Sequence, residues 1–174
     1  STASNFASAT DIDNATNSYT ATNLTATTYY RAVVKSGVCA SANSGTGTVT
    51  VDPASVGGSI AGSATVCTGT NSTTMTLSGN VGTIQWQSST DNSSFTNISG
   101  ATSASYTATN LTTTKYYRAK VKSGVCDSLF SNVVKVTVDP ASAAGTLSGS
   151  TTVCKGTNTT VLTLNGSVGS IQWE

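Results

Sequence analysis

Four cysteines, Cys39, Cys67, Cys126 and Cys154, are the residues of this chain with the clearest potential chemistry. An even number of cysteines in a chain of this composition is typical of structural disulfides in a secreted protein. A zinc site is not expected, because the chain has no histidine and no Cys-x-x-Cys motif. We therefore predict structural disulfides rather than metal ligands or reactive thiols.

Groups that could carry out catalysis are scarce. Without histidine, neither a Ser-His nor a Cys-His pair can be assembled. The carboxylates are Asp11, Asp13, Asp52, Asp91, Asp127, Asp139 and Glu174. Their spacing does not bring two of them together as a glycosidase requires. The sequence thus predicts a protein that is not an enzyme and that has no catalytic residue, cofactor or metal site.

The chain repeats itself with a period of 87 residues. The segment 105–111 restates 18–24, 122–126 restates 35–39, 136–140 restates 49–53, and 171–173 restates 84–86. Near-identical modules in series usually provide length, reach or multivalency rather than chemistry. In the frame that we prefer, residues 1–52 are the C-terminal part of one repeat, 53–139 are a complete repeat, and 140–174 are the N-terminal part of the next repeat. We accordingly expect the chain to be a unit of a continuous fibre.

Alternation of polar and apolar residues marks the strands of the complete repeat. In Lys115–Lys122, for example, Tyr117, Ala119 and Val121 are expected to face inward. Glycine, asparagine and serine turns separate about seven such strands, at a spacing of 8–12 residues that is typical of a β-sandwich. The predicted fold class is therefore all-β, with tandem antiparallel sandwiches of the immunoglobulin (Ig)-like or fibronectin-III-like type. Asp52-Pro53 and Asp139-Pro140 are the expected short hinges between sandwiches.

Six large residues are the expected core markers of the repeats. Leu111 followed by Tyr117 is similar to the tyrosine corner of such sandwiches, and Trp86 stands where they place a core tryptophan. The corresponding residues of the other copies are Leu24, Tyr30 and Trp173. Both tryptophans could instead be platforms for sugar stacking, but each shares an alternating face with an isoleucine, which favours core packing.

Two disulfide arrangements follow from the sequence. Pairing Cys67 with Cys126 inside the complete repeat would close a loop of about 60 residues and contribute roughly 4 kcal/mol; Cys39 and Cys154 would then have partners outside the chain. In an ordinary Ig topology these two positions lie at opposite poles, so either the first strand runs unusually in this repeat or the disulfides link adjacent repeats. The sequential alternative is Cys39 with Cys67 and Cys126 with Cys154.

Motifs spread over the whole repeat carry a resemblance to a known group of proteins. They are Val66-Cys67-Thr68-Gly69, Ile84-Gln85-Trp86-Gln87, Ile98-Ser99-Gly100-Ala101-Thr102, Tyr116-Tyr117-Arg118-Ala119, Ser123-Gly124-Val125-Cys126 and Ser131-Asn132-Val133-Val134. The repeat resembles the Ig-like repeats of giant cell-surface adhesins of Bacteroidota. The resemblance implies export by the type IX pathway and a place in surface adhesins, some of them in gliding species. The first copy departs from the pattern, because Phe6 and Ile12 are shifted relative to Phe95 and Ile98.

Charge and hydropathy limit the kinds of partner that the chain is expected to bind. A net charge of +1 with 9% charged residues offers no basic patch for nucleic acid. No apolar run approaches the 18 or so residues that span a bilayer. Asp127-Ser128-Leu129 fits an O-glycosylation pattern associated with Bacteroidota, which makes Ser128 a candidate glycosylation site. The expected partners are neighbouring repeats of the same polypeptide or fibre, with surface glycans or other cells as further candidates.

Three functional hypotheses remain at this point. The first is a structural stalk or filament of an extracellular adhesin on a bacterial surface. The second is a module that binds a sugar or a protein through loops such as Ser88 to Ser94, because the corresponding stretch of the first copy, Ser1 to Asn17, differs in sequence. The third is an accessory segment of a secreted enzyme.

Overall fold

All 174 residues are described by the computed structural model, which contains β-strands and no helix. No helix long and apolar enough to cross a membrane is therefore present. The strands are β1 (Thr28–Tyr30), β2 (Val33–Val34), β3 (Ala42–Asn43), β4 (Gly47–Val49), β5 (Ser59–Ala61), β6 (Ala64–Cys67), β7 (Ser72–Ser78), β8 (Thr83–Ser89), β9 (Thr96–Asn97), β10 (Ser105–Thr109), β11 (Lys115–Lys122), β12 (Leu129–Phe130), β13 (Val134–Asp139), β14 (Thr146–Ser148) and β15 (Thr163–Asn165). The predicted all-β class is confirmed.

Residues 53–139, called the middle unit below, form two sheets. The first sheet has the strand order β10-β7-β5, and the second has the order β6-β13-β11-β8-β9 with β12 also paired to β11. Every pairing is antiparallel except that of β6 with β13. The long β11 lies at the centre of the second sheet, where its alternating residues can be buried on one face.

The first strand of the middle unit changes sheets. Its N-terminal half, β5, pairs with β7, and its C-terminal half, β6, pairs with β13 in the opposite sheet. Gly62 lies between the halves with φ of +111°, and a Cβ there would be 2.5 Å from the carbonyl oxygen of Thr74. This position therefore requires glycine. The break at Gly62 lets β5 form an edge strand of the first sheet and β6 an edge strand of the second.

One hydrophobic core lies between the two sheets. The first sheet contributes Ile60, Met75, Leu77 and Ala108, and the second contributes Trp86, Tyr117, Ala119, Val121, Val134 and Val136, with Leu111 at the corner before β11. The Trp86 and Tyr117 rings both contact Tyr106, at centroid distances of 5.8 and 5.7 Å. Desolvation in this core, together with the neighbouring Tyr106, raises the pKa of Tyr117 to about 12. In a tyrosine corner the tyrosine hydroxyl bonds to the backbone a few residues upstream. The hydroxyl of Tyr117 forms no hydrogen bond to the protein, so Tyr117 shares only the position of a tyrosine corner.

The flanking segments repeat parts of the middle unit with the same strand registers. Thr28 pairs with Val49 as Lys115 pairs with Val136, and Val33 pairs with Asn43 as Lys120 pairs with Phe130. In the C-terminal segment, β14 pairs with β15 in the register of β5 with β7. Residues 1–52 thus hold strands of the second sheet, and residues 140–174 hold strands of the first.

Burial is confined to the middle unit. All sixteen buried residues lie between positions 55 and 136. Of the expected core markers, Trp86, Tyr117 and Leu111 are buried, whereas Leu24 and Tyr30 are half-buried and Trp173 is 53% exposed. The expected burial of Trp173 is not seen in this chain: residues 140–174 hold counterparts of β5 and β7, but none of β10, β11 and β13, which complete the two sheets around Trp86 in the middle unit.

Candidate functional site: the junction between consecutive units

The linker that enters the middle unit is docked against a turn of that unit. The backbone nitrogen of Val125 donates to Oδ2 of Asp52 at 3.1 Å. Close by, the backbone nitrogen of Ser123 donates to the hydroxyl of Ser55 at 2.9 Å, and this bond is buried. The turn 123–126 therefore holds both ends of the Asp52–Ser55 segment. We call this pole of the unit the entry end.

Glycine allows the close contact at the entry end. Gly124 has φ of +45°, and a Cβ at this position would collide with the carboxylate of Asp52. In the first copy the corresponding Gly37 has nothing within 4 Å, because no linker packs on its turn. The Ser-Gly-Val-Cys turn thus binds the aspartate of the preceding linker.

Replacing Asp52 with alanine is expected to release the linker from this turn. The loss of one charge-assisted hydrogen bond should destabilise the middle unit by about 1 kcal/mol. It should also speed amide hydrogen exchange at Val125, which mass spectrometry or NMR would measure. The matched control is Asp139→Ala, because Asp139 holds the same repeat position but is exposed in this chain. Equal effects of the two substitutions would contradict the docking.

The opposite pole, called the exit end, is where the chain leaves the middle unit. The parallel pairing of β6 with β13 places Cys67 beside Asp139. The backbone nitrogen of Thr68 donates to the carbonyl oxygen of Asp139 at 2.8 Å. The side-chain nitrogen of Asn71 donates to the carbonyl oxygens of Cys67 and Leu111, both at 2.8 Å. The exit end is therefore also fixed, by hydrogen bonds to the carbonyl oxygens of Cys67, Leu111 and Asp139.

All four cysteines are free thiols in the structure, and the predicted bond between Cys67 and Cys126 is not formed. Cys67 lies at the exit end, where β11 begins, and Cys126 follows the other end of β11. The eight residues of β11 span roughly 23 Å at about 3.3 Å per residue. A disulfide requires Cα atoms within about 7 Å, so the pairing inside one unit is wrong. The sequential pairs fail in the same way, since each joins an entry end to the exit end of the following unit.

An aromatic and arginine cluster covers the outer face of the second sheet. The guanidinium carbon of Arg118 lies 4.1 Å from the ring centroid of Phe95 and 3.9 Å from that of Phe130. Nε of Arg118 also donates to Oε1 of Gln87 at 2.8 Å. In the first copy, Arg31 lies 4.4 Å from the centroid of Phe6. The shifted Phe6 therefore takes the role of Phe95, which sequence alignment alone did not reveal.

The loop after β8 is held by its own carboxylate. Oδ1 of Asp91 accepts hydrogen bonds from the hydroxyl of Ser89 at 2.6 Å and from the backbone nitrogens of Ser93 and Ser94 at 2.8 Å. These bonds, that from Ser89 above all, lower the pKa of Asp91 from 3.8 to about 2. The loop is therefore ordered by an ionised carboxylate.

Acidification is expected to loosen this loop at unusually low pH. Because the pKa of Asp91 is depressed in the folded state, its contribution is present above about pH 4 and is lost as the pH falls through about 2. The amide protons of Ser93 and Ser94 should shift with a midpoint near pH 2 in an NMR titration, and Asp91→Asn should abolish that transition. A midpoint near pH 4 would contradict the role given to Asp91.

Ser128, the candidate glycosylation site, is half-buried beside an open groove lined by Gln85, Asn97 and Lys120. Its glycosylation stays a prediction. Of the residues that organise the junction, Asp52 was predicted from sequence only as part of a hinge, and Asn71 and Gly124 were not identified. A signal was nevertheless present, because each recurs 87 positions away, as Asp139, Asn158 and Gly37.

Strand content defines an all-β protein, and the strand pairings of the flanking segments repeat those of the middle unit. The chain matches a family described as a domain of unknown function (DUF8696) over residues 1–53, 56–140 and 143–174, and it belongs to that family. No curated protein shows a significant match to the chain.

Proposed function

We propose that this chain is a structural, non-enzymatic segment of a long extracellular bacterial adhesin. In this proposal, Ig-like β-sandwiches of about seven strands, one for each 87-residue repeat, stand in series as a stalk or filament. The partners of the segment are then neighbouring repeats of the same polypeptide or fibre. Its mechanism is mechanical, since stacked units carry a distal part of the molecule away from the cell.

The Ig-like part of the proposal is supported by the middle unit. Two sheets share one core, a tryptophan of β8 is fully buried within it, and a tyrosine at the start of β11 packs on the same side. These are the positions that the aromatic residues of Ig-like sandwiches occupy. The first strand is divided between the sheets, so that each sheet has one half of it as an edge strand.

The observation that carries the functional proposal is the complementarity of the two flanking segments. Residues 1–52 hold counterparts of β11, β12 and β13, whereas residues 140–174 hold counterparts of β5 and β7. Each segment leaves apolar residues exposed, such as Val34 at 63% and Trp173 at 53%, whose counterparts Val121 and Trp86 are fully buried. Residues 140–174 of one copy of the chain, followed directly by residues 1–52 of a second copy, would therefore complete a unit with the same core.

The junction supports a stiff rather than a freely jointed series. Asp52 is bound by the turn at the entry end, and the carbonyl oxygen of Asp139 is bound at the exit end. Short linkers with both ends hydrogen-bonded limit the swing between neighbours. The matched family segments are separated next to these same linkers, at residues 54–55 and 141–142.

Small-angle X-ray scattering tests the stalk. One, two and three copies of the full chain are compared, fused so that Ser1 directly follows Glu174. The expected result is a cross-section that stays constant while the maximum dimension increases linearly with copy number. A compact particle, or a maximum dimension that stops increasing with copy number, would overturn the proposal.

Location on a bacterial surface is part of the proposal and has a separate test. A chain with 9% charged residues and four cysteines suits an oxidising extracellular environment. Antibodies against the middle unit should label intact cells of the source organism without permeabilisation. Deletion of type IX secretion should abolish the label while the protein remains in cell lysates.

Adhesion through loops is the second candidate, favoured by the Asp91 loop. Three hydrogen bonds to one carboxylate oxygen make this loop rigid, and rigid loops on a scaffold are common binding sites. A glycan array probed with the full chain tests this candidate. Binding that is retained by Asp91→Asn would show that the loop is not the recognition element.

A further inference from the structure

We propose that a disulfide joins each pair of consecutive units across the Asp-Pro linker. The bond connects the exit-end cysteine of one unit, in the position of Cys67, to the turn cysteine of the following unit, in the position of Cys126. This inference rests on the proposed serial arrangement of units. It differs from the pairing inside one unit and from the sequential pairing, both of which the strand register excludes.

The turn cysteine lies against the preceding linker. Sγ of Cys126 is 3.8 Å from the carbonyl oxygen of Asp52 and 3.4 Å from that of Pro53. The linker partly covers Cys126, whereas Cys39 in the first copy, on whose turn no linker packs in the structure, is exposed. Every turn cysteine that follows a linker is therefore held at the aspartate of that linker.

The exit-end cysteine lies beside the same linker position. Cys67 is the residue paired with Asp139 in the parallel β6–β13 ladder. The next backbone nitrogen, that of Thr68, donates to the carbonyl oxygen of Asp139 at 2.8 Å. Cys67 is exposed, so its thiol is not committed to the core of its own unit.

The two views describe one junction, because Asp52 and Asp139 occupy the same position of the repeat. Across any linker, the exit-end cysteine is paired with this aspartate at one strand spacing, about 4.8 Å. The thiol of the turn cysteine lies 3.8 Å from the carbonyl oxygen of the same aspartate. Because both cysteines adjoin one residue of the linker, the proposed bond requires only that the junction hold their Cα atoms about 4.4–6.8 Å apart.

The reaction is a thiol–disulfide exchange with a small external disulfide such as oxidised glutathione. Two thiols are converted into one S–S bond, and their two protons and two electrons pass to the external disulfide, which is reduced to two thiols. A mixed disulfide with one cysteine precedes the final bond. Exposure of Cys67 makes it the accessible site for that first attack.

The test uses the two-copy fusion of the full chain with selected cysteines changed to serine. The first version retains Cys67 of the first copy and Cys39 of the second copy, which face each other across the first complete junction. The two control versions retain Cys67 with Cys126, or Cys39 with Cys67, both in the first copy. After treatment with oxidised glutathione, thiol titration and intact mass should show a disulfide within the first version and two free thiols in each control.

X-ray scattering on the same samples separates the two proposals. An elongated particle whose first version keeps both thiols would overturn the disulfide while the stalk stands. A compact particle would overturn the serial arrangement and the disulfide together. A bond in either control version would also overturn the proposed pairing. All four cysteines are outside the core, so serine at these positions is expected to preserve the fold.

Discussion

Changing Trp86 to alanine is expected to unfold the middle unit under conditions in which the unchanged protein is folded. The Trp86 side chain is fully buried, its ring contacts that of Tyr106, and its Nε1 donates to the carbonyl oxygen of Ser103 at 2.9 Å. Removing a buried tryptophan costs about 3–5 kcal/mol. A unit of this size has a total stability of about 4–13 kcal/mol. Urea unfolding followed by circular dichroism would measure the loss.

Trp173 provides a matched control, because it holds the same position in the next copy. It is 53% exposed in the single chain, so Trp173→Ala should change the unfolding free energy by no more than about 0.5 kcal/mol. In the two-copy fusion, Trp173 of the first copy would enter the core of a completed unit. The same substitution should then cost about 3–5 kcal/mol. A small effect in both contexts would contradict the completion of units by neighbouring segments.

The strands of this fold were largely accessible from sequence because their signal is local. Alternation over Lys115–Lys122 predicted the limits of β11 and its inward Tyr117, Ala119 and Val121, and all three are buried. Side chains of a strand alternate at every second residue, so a short window of sequence is enough to show which face is apolar.

Pairings between distant strands were not accessible in the same way. No local pattern shows that β6 crosses to the second sheet and runs parallel to β13, and that pairing is what separates Cys67 from Cys126. The Arg118 cluster was missed for the same reason, since Phe95 and Phe130 reach Arg118 only after β9 has paired with β8 and β12 with β11. Loop length and residue type do not determine such contacts.

Burial of the repeat copies was a third kind of expectation, and it depended on context rather than on sequence. Trp86 and Trp173 share the motif Ile-Gln-Trp, yet one is fully buried and the other is half exposed. The difference comes from the surrounding strands: β10, β11 and β13 complete the two sheets around Trp86, and residues 140–174 hold no counterparts of these three strands. The same sequence therefore acts as a core in one setting and as an apolar edge in another.

Changing Asn71 to alanine is expected to produce the second largest loss of stability. Its side chain connects the loop after β6 to the loop before β11: it donates to the carbonyl oxygens of Cys67 and Leu111 and accepts from the backbone nitrogen of Leu111 at 2.9 Å. Alanine would leave these partly buried backbone groups without partners, at about 1 kcal/mol for each lost bond. We expect a total loss of about 2–3 kcal/mol in urea unfolding and faster hydrogen exchange at Leu111.

Asn158 is the control that separates this bridge from a local turn. Its side chain bonds to the carbonyl oxygens of Cys154 and Gly156, at 3.0 and 2.9 Å, and no counterpart of Leu111 is present. Asn158→Ala should therefore have little effect in the single chain, but a first-copy Asn158→Ala in the two-copy fusion should approach the loss seen for Asn71→Ala. Because the side chain of Asn71 also binds the carbonyl oxygen of Cys67, its removal should slow formation of the disulfide between Cys67 of the first copy and Cys39 of the second copy in the fusion. An unchanged oxidation rate would show that the exit end keeps its geometry without this side chain.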